Sequence, residues 1–189
     1  MEGKLFIFSA PSGAGKTSIV KALLQRMPAL EFSISATSRL KRRGETNGRD
    51  YYFLSPEKFR RKIENDEFLE WEEVYQGSYY GTLRSEIHRI WDKDHHVVFD
   101  VDVAGGINIK KQFAEKALSI FVMPPSIVEL EKRLVNRKTE TPESLKKRLD
   151  KARYELGFAK EFDRIVVNDK LDQAIEEAAK LVEDFLKTA

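Results

Sequence analysis

The stretch Ala-Pro-Ser-Gly-Ala-Gly-Lys-Thr at residues 10–17 is of a type that binds phosphate groups. It follows the apolar run at residues 5–8 and precedes a segment with helical spacing, which predicts a strand, a glycine-rich turn and a helix. Small residues let successive backbone N–H groups converge on an anion, and the helix adds its positive N-terminal end. We therefore expect ATP or a similar nucleoside triphosphate to contact Ala10, Pro11, Ser12, Gly13, Ala14, Gly15, Lys16 and Thr17.

Two residues at the end of this stretch carry the expected chemistry. Lys16 would reach the β- and γ-phosphates, and the hydroxyl of Thr17 would bind Mg²⁺. Ala10 stands where such loops usually have glycine, so position 10 is expected to need a small side chain rather than a positive φ. Gly13 and Gly15 would supply the unusual backbone conformations. The alternative is a surface turn with a solvated lysine, which the flanking strand and helix disfavour.

The composition suits a compact enzyme. The 189 residues carry 33 Lys and Arg against 31 Asp and Glu, a net charge of +2, which argues against a dedicated nucleic-acid binder. No apolar run approaches the roughly 20 residues that span a bilayer. The chain has no cysteine, and the first strand follows Met1 almost directly, without a signal peptide. These features predict a cytoplasmic protein whose partners are small molecules, neither nucleic acid nor membrane.

Strands and helices alternate through most of the chain, which predicts an α/β sandwich around a parallel sheet. Further buried strands are expected where apolar runs lack strict alternation, at residues 97–101, 119–123 and 164–167. Amphipathic helices are expected at residues 16–26, 126–137, 143–160 and 172–187.

Residues 33–91 break this alternation and predict a small mixed insertion into a core formed by residues 1–32 and 92–189. Within it, partly alternating strands are expected at residues 49–54 and 68–75. A helix between them would begin at Ser55, Pro56 and Glu57, with the serine as N-cap and the proline at the first helical position. Residues 134–150 include a polar segment between basic helices and predict a lid within the core.

The insertion carries a basic cluster formed by Arg39, Lys41, Arg42 and Arg43. Arg39 and Arg42 lie three residues apart and could clasp one phosphate through their planar, bidentate donors. From this segment alone, a solvated surface cluster or a nucleic-acid patch is an equally good interpretation.

Motifs along nearly the whole chain resemble those of guanylate kinases, in consistent order and spacing. They comprise Ser33-Ile34-Ser35, Arg39, Arg42, Gly44-Glu45, Asn47-Gly48, Tyr51, Phe68-Leu69-Glu70-Trp71, Tyr79-Tyr80-Gly81-Thr82, Asp100-Val101-Asp102, Pro124-Pro125-Ser126 and Val166-Val167-Asn168-Asp169. The resemblance implies a three-layer P-loop NTPase core with a five-stranded parallel sheet, a small mixed α/β insertion that binds the nucleoside monophosphate, and a short helical lid. It also implies transfer of the γ-phosphoryl group from ATP, with Mg²⁺ as cofactor, to GMP or dGMP.

The resemblance places the GMP site largely on the insertion. Glu70 would accept hydrogen bonds from guanine N1–H and the exocyclic amine, a pair of donors that adenine lacks. Ser35 and Thr82 would add hydroxyl contacts to the base, and Asp102 would contact GMP or its ordered waters. The phosphate would be held by Arg39, Arg42, Tyr51 and Tyr80. Without the resemblance, Glu70 beside Glu72 and Glu73 suits a solvated outer strand face.

The remaining roles concern the donor and the transferred group. Asp100 would orient a metal-bound water beside Thr17, and the alternative for this aspartate is a helix N-cap. Charge on the transferring phosphoryl group would be stabilised by Lys16, Arg133, Arg137 and Arg148, although each arginine alone also suits a solvated surface position. Asn168 would border the adenine pocket. The acceptor phosphate is already an oxyanion, so no general base is required.

Three segments depart from the usual family pattern: Lys41 with Arg43, Val103 with Ala104, and the run Asn136-Arg137-Lys138. Two other functions compete with the kinase interpretation. One is an inactive module of the same family that binds protein partners, against which the retained Lys16 and Arg148 argue. The other is a kinase for a different base, against which Glu70 together with Ser35 argues.

Overall fold

The structure is a computed structural model, which describes residues 3–136 and 142–188. Its strands are β1 (Leu5–Ser9), β2 (Leu30–Phe32), β3 (Ala36–Thr37), β4 (Tyr52–Phe53), β5 (Phe68–Tyr75), β6 (Ser78–Leu83), β7 (His96–Asp100), β8 (Ala117–Met123) and β9 (Arg164–Val167). Its α-helices are α1 (Lys16–Arg26), α2 (Pro56–Glu64), α3 (Arg84–Trp91), α4 (Val103–Phe113), α5 (Ile127–Asn136), α6 (Pro142–Leu156) and α7 (Leu171–Lys187).

The larger sheet has five strands in the order β2–β7–β1–β8–β9, and all of its neighbouring pairs are parallel. The strands predicted from buried apolar runs are confirmed, with β7 and β8 shifted by one or two residues at their ends. Strand β1 lies in the middle, so the turn that follows it opens at the centre of the sheet's carboxyl edge. In sheets of this kind, ligands bind at that edge.

Helices cover both faces of this sheet, because successive side chains of a strand point to opposite sides. Phe6 and Phe8 of β1 pack in one buried cluster with residues of α1 and α7. Leu5 and Ile7 pack in another cluster with residues of α3 and α4. The result is the expected three-layer α/β core, with β1 wholly buried.

The smaller sheet has four strands in the order β4–β3–β6–β5. Strands β3 and β4 are parallel and the other pairs are antiparallel, so the sheet is mixed, as predicted. Helix α2 closes one side of it: the ring of Phe59 stacks on Phe68, with centroids 4.4 Å apart. Ser55 caps this helix as expected, since its side chain accepts from the backbone N–H of Lys58.

The strand predicted at residues 49–54 is shorter than expected, because only Tyr52–Phe53 pairs as β4. Residues 49 and 50 belong to a turn instead: the backbone N–H groups of Arg49 and Asp50 both donate to the carbonyl of Thr46, at 3.3 and 3.0 Å, and the Asp50 side chain accepts from Thr46 N at 2.7 Å. Helix α6 ends at Leu156 rather than at residue 160, and Gly157 follows it.

The strands of the smaller sheet all lie between residues 36 and 83, inside the predicted insertion. Helix α3 follows them, and its residues Ile87 and Ile90 pack into the core beneath the larger sheet. The boundaries at residues 33 and 91 stay a prediction. Of the predicted lid, residues 134–136 and 142–150 belong to α5 and α6, and the rest lies outside the described residues.

Among the described residues, no helix is both long enough and apolar enough to cross a bilayer.

Candidate active site

The glycine-rich turn joins β1 to α1 and has the backbone conformation of an anion cradle. Gly13 and Gly15 have φ values of 93° and 95°, as expected for the positions that need left-handed backbone. Ala10 is 7% exposed and its φ is not positive, which confirms that this position requires only a small side chain. The N–H groups at the start of α1 therefore face the space above the loop.

Asn168 supports this loop from behind. Its side-chain amide donates to the carbonyl of Ala14 at 2.7 Å, and the side chain is buried. A Cβ added to Gly15 would lie only 2.1 Å from Asn168 Nδ2, so a larger residue there would displace the asparagine. Asn168 does not line the cavity above the loop, and its predicted place beside the adenine stays a prediction.

Lys16, Thr17 and Asp100 meet where α1 begins and β7 ends. Lys16 Nζ lies 2.6 Å from Asp100 Oδ1 and donates to the carbonyl of Val101 at 2.8 Å. The hydroxyl of Thr17 donates to Asp100 Oδ2 at 3.2 Å. A hydroxyl and a carboxylate so close together supply the hard oxygen ligands that suit Mg²⁺, directly or through water. The residues present therefore fit the ion.

The alternative interpretation of Asp100 as a helix N-cap is wrong, because Asp102 occupies that position. The side chain of Asp102 accepts from the backbone N–H of Gly105 at 2.7 Å and begins α4. Asp100 is the last residue of β7, and its carboxylate is free of backbone capping contacts in the described residues. This leaves Asp100 facing Lys16 and Thr17.

A cavity of 510 Å³ lies above the loop. It is lined by loop residues, by residues 100–102, and by Arg148, Lys151 and Glu155 of α6. Arg148 donates to the hydroxyl of Ser12 at 2.8 Å, so α6 already contacts the loop. The site can therefore surround a triphosphate with backbone donors and cations from two elements.

The other two predicted arginines are placed differently. Arg133 on α5 lies 3.5 Å from Glu129 Oε1 and donates to the carbonyl of Asp169 at 3.5 Å, and it does not line the cavity. Its role as a cation at the transferring group stays a prediction. Arg137 lies outside the described residues.

A second cavity, of 390 Å³, adjoins the first. The two share residues 100–102 and Lys151. Six residues predicted to bind GMP line the second cavity together: Ser35, Arg42, Tyr51, Glu70, Tyr80 and Asp102. The remaining two, Arg39 and Thr82, support it by hydrogen bonds to Tyr80 and Glu70. The fold thus gathers six predicted GMP-binding residues that are up to 67 positions apart in the sequence (35 to 102).

At one end of this second cavity, Glu70 accepts a hydrogen bond from the hydroxyl of Thr82 at 2.6 Å. These two residues are directly paired across β5 and β6. Burial raises the pKa of Glu70 to about 7, against the lowering effect of the Thr82 bond, and the nearby charge of Asp102 raises it further. A carboxylate held in such a place is stabilised by any ligand that donates two hydrogen bonds to it.

At the other end, the guanidinium of Arg39 is held rigidly. It donates to both carboxylate oxygens of Glu45, at 2.6 and 2.7 Å, and its Nε donates to the hydroxyl of Tyr80 at 3.1 Å. It also lies 5.0 Å from the ring centroid of Tyr51. Glu45 accepts from the backbone N–H of Arg42 as well, and these hydrogen bonds, chiefly those from Arg39, lower its pKa to about 2.

Sequence reasoning missed two of these residues. Glu45 stands in the motif Gly44-Glu45, and its distance of six residues from Arg39 allows a turn to bring the pair together. Lys151 belongs to none of the family motifs. The sequence feature that points to Lys151 is its position three residues after Arg148, which places both side chains on the same face of α6.

A parallel α/β core whose phosphate loop faces a second cavity with arginine and tyrosine walls defines a phosphate-loop nucleotide-binding protein. Within that class, the family model for guanylate kinase matches residues 2–185. The chain belongs to the guanylate kinase family.

Individual guanylate kinases are similar to this chain over nearly its full length. The guanylate kinase of Bacteroides thetaiotaomicron is 54% identical over 98% of this chain and 91% of the relative. That of Porphyromonas gingivalis is 53% identical over 97% of this chain and 98% of the relative. The crystal structure of guanylate kinase from Anaplasma phagocytophilum has a TM-score of 0.78 and 27% identity, covering 99% of this chain and 88% of that one.

Proposed function

We propose that this protein transfers the γ-phosphoryl group of Mg-bound ATP to GMP, giving ADP and GDP, and that it accepts dGMP as well. One observation carries the proposal: a phosphate-loop cavity and a cavity lined by Glu70 and Arg42 meet along residues 100–102. Two nucleotides lying in these cavities would have their phosphates adjacent at the shared wall.

The first cavity would hold ATP. The loop N–H groups and Lys16 would bind its phosphates. Arg148 would reach them from α6, since its guanidinium already donates to the hydroxyl of Ser12 in the loop. Thr17, and Asp100 through water, would hold Mg²⁺, which supplies charge neutralisation between the phosphates when bound.

The second cavity would hold GMP along the strands. Glu70 pairs with Thr82 and Glu72 pairs with Tyr80, so the base end and the phosphate end are separated by two residues. Two strand residues span about 7 Å, so the side chains of Glu70 and Tyr80 bind from positions that are separated along the cavity. Ser35 and Asp102 would add contacts to guanine, and Arg39, Arg42, Tyr51 and Tyr80 would bind the phosphate.

In the reaction, an oxygen of the GMP phosphate attacks the γ-phosphorus, and the bond between that phosphorus and the β–γ bridging oxygen breaks, leaving ADP. The chain's part is to hold both groups in line and to offset their charge. Lys16 and Arg148 would do this, since both line the cavity above the loop. Arg133 would have to turn away from Glu129 to join them.

The proposal is tested by measuring ATP-dependent phosphorylation of GMP, dGMP, IMP, AMP and UMP under identical conditions. We expect turnover with GMP and dGMP, and a value of kcat/KM for AMP at least about a thousandfold lower, since AMP leaves the Glu70 carboxylate without donors. IMP, which lacks the exocyclic amine, should be intermediate. Equal use of AMP and GMP would contradict the assignment of the base pocket.

The contact between Glu45 and Arg39 makes a further prediction. Replacing Glu45 by glutamine removes one of the two charge-assisted bonds that orient the guanidinium. The KM for GMP is expected to rise about tenfold, with little change in kcat or in the KM for ATP. Steady-state kinetics would measure this, with Glu64→Gln on the exposed face of α2 as the matched control. An unchanged KM for GMP would show that Glu45 does not position Arg39.

A further inference from the structure

Two charged side chains that the reaction above leaves unused line the GMP cavity from different parts of the fold. Glu72 lies on β5 in the smaller sheet, and Lys151 lies on α6 in the core. Both also line a third cavity of 310 Å³, which adjoins the second at Asp102. Helix α6 packs on α5 through Leu149 and Ala152, so the two residues face the cavity from separately packed parts of the molecule.

Glu72 faces the cavity because it lies two residues after Glu70 on the same strand, on the same face of the sheet. Asp102 lines the same two cavities, and its carboxyl group lies close enough to that of Glu72 to affect its pKa. This contact and burial raise the pKa of Glu72 to about 7, whereas the charge of Lys151 acts in the opposite direction. The acidic pair therefore lacks full compensation by a cation.

Lys151 is the cation best placed to supply that compensation. The cations that line the GMP cavity among the described residues are Arg42 and Lys151, and Arg42 lies near the phosphate end, next to Glu45. Lys151 is loosely held: its side chain is 57% exposed, and its Nζ lies 3.8 Å from Glu155 Oε1, near the outer limit of an ion pair. It can change partner at little cost.

We propose that Lys151 and Glu72 form an ion pair across the GMP cavity when the nucleotide is bound, joining α6 to the smaller sheet. Both are positioning residues. The pair would draw the Glu72 carboxyl away from Asp102. Asp102 would then be available to accept a hydrogen bond from the guanine amine. It would also hold β5, which carries Glu70, against the core. This inference rests on GMP occupying the second cavity.

A double-mutant cycle tests the pair in the full-length enzyme. Glu72→Gln and Lys151→Gln should each raise the KM for GMP about fivefold, with kcat within about twofold of the unmodified enzyme. The double variant should also show about a fivefold increase, because either single change already breaks the pair. At about 0.5 M KCl the ratio of variant to unmodified KM should approach one, a screening effect that a purely structural role would not produce.

Lys147→Gln, on an exposed position of α6 that lines none of these cavities, is the matched control and should leave the KM for GMP unchanged. A KM for GMP that rises about 25-fold in the double variant, as additive effects would give, would overturn the ion pair. Single variants with no effect on this KM would overturn it as well. Glu70→Gln, measured in the same assay, distinguishes a failure of the ion pair from a failure of the proposed GMP placement. If Glu70→Gln impairs GMP use while the cycle is additive, only the ion pair is wrong; if Glu70→Gln has no effect, both inferences fail.

Discussion

Replacing Lys16 by alanine is expected to lower kcat by about a thousandfold while the protein stays folded. Lys16 is the cation at the start of α1, and its Nζ lies within 2.8 Å of both a carboxylate of Asp100 and the carbonyl of Val101, at the wall shared by the two cavities. Its loss would leave the developing charge on the transferred group without its nearest fixed cation. Steady-state assays with saturating ATP and GMP would measure the change.

Lys21→Ala, at an exposed position of the same helix, provides the control and should have nearly unmodified activity. Far-ultraviolet circular dichroism and thermal unfolding of the Lys16 variant should show an intact fold, because β1 and α1 are held by buried apolar residues such as Phe6 and Ile19. A kcat close to that of the unmodified enzyme would refute the role assigned to Lys16.

Glu70→Gln is expected to lower kcat/KM for GMP by about a hundredfold or more. Glutamine keeps one acceptor oxygen, but its amide group would face a guanine donor instead of accepting from it. The partly buried position, with Thr82 donating at 2.6 Å, leaves little room for water to compensate. The panel of monophosphates should show that discrimination against AMP decreases in this variant, while the KM for ATP stays the same.

The pH dependence gives an independent check on Glu70. Because its pKa is raised to about 7, chiefly by burial with Asp102 nearby, a large fraction of this group is protonated in the free enzyme at neutral pH. GMP needs the ionised form, so kcat/KM for GMP should rise as the pH increases from about 6 to about 8. The phosphate group of GMP titrates in the same way in assays of both enzymes. The difference between the pH profiles of the unmodified enzyme and Glu70→Gln therefore reports on Glu70. Identical profiles would contradict the assignment.

The same shift has a consequence for stability, with a definite sign. A carboxyl whose pKa is higher in the folded than in the unfolded chain binds its proton more tightly when folded. The contribution of Glu70 to stability therefore decreases as the pH rises from the model-peptide value of 4.5 towards about 7, and is constant above that. This loss is offset when GMP donates hydrogen bonds to the carboxylate, so GMP should stabilise the protein against unfolding more strongly above neutral pH.

Local sequence signals were sufficient for the elements that depend on local physics. The helix α1, the cap of α2 by Ser55 and the left-handed glycines of the loop all follow from propensity, capping and backbone sterics, and they are found where predicted. The strand expected at residues 49–54 was too long, because the turn in which Arg49 and Asp50 donate to the carbonyl of Thr46 is not visible in an alternation pattern.

The sequence by itself determined the phosphate loop, the α/β class of the core and, through motifs spread along the chain, the family. Only the tertiary structure decided that Asp102, rather than Asp100, caps a helix, that Asn168 holds the loop from behind, and that Glu45 orients Arg39. The reason is the distance along the chain over which each effect acts, since dihedral preferences and side-chain periodicity involve only a few neighbouring residues. Hydrogen bonds across a cavity, and the burial that shifts the pKa of Glu70, depend on segments that only folding brings together.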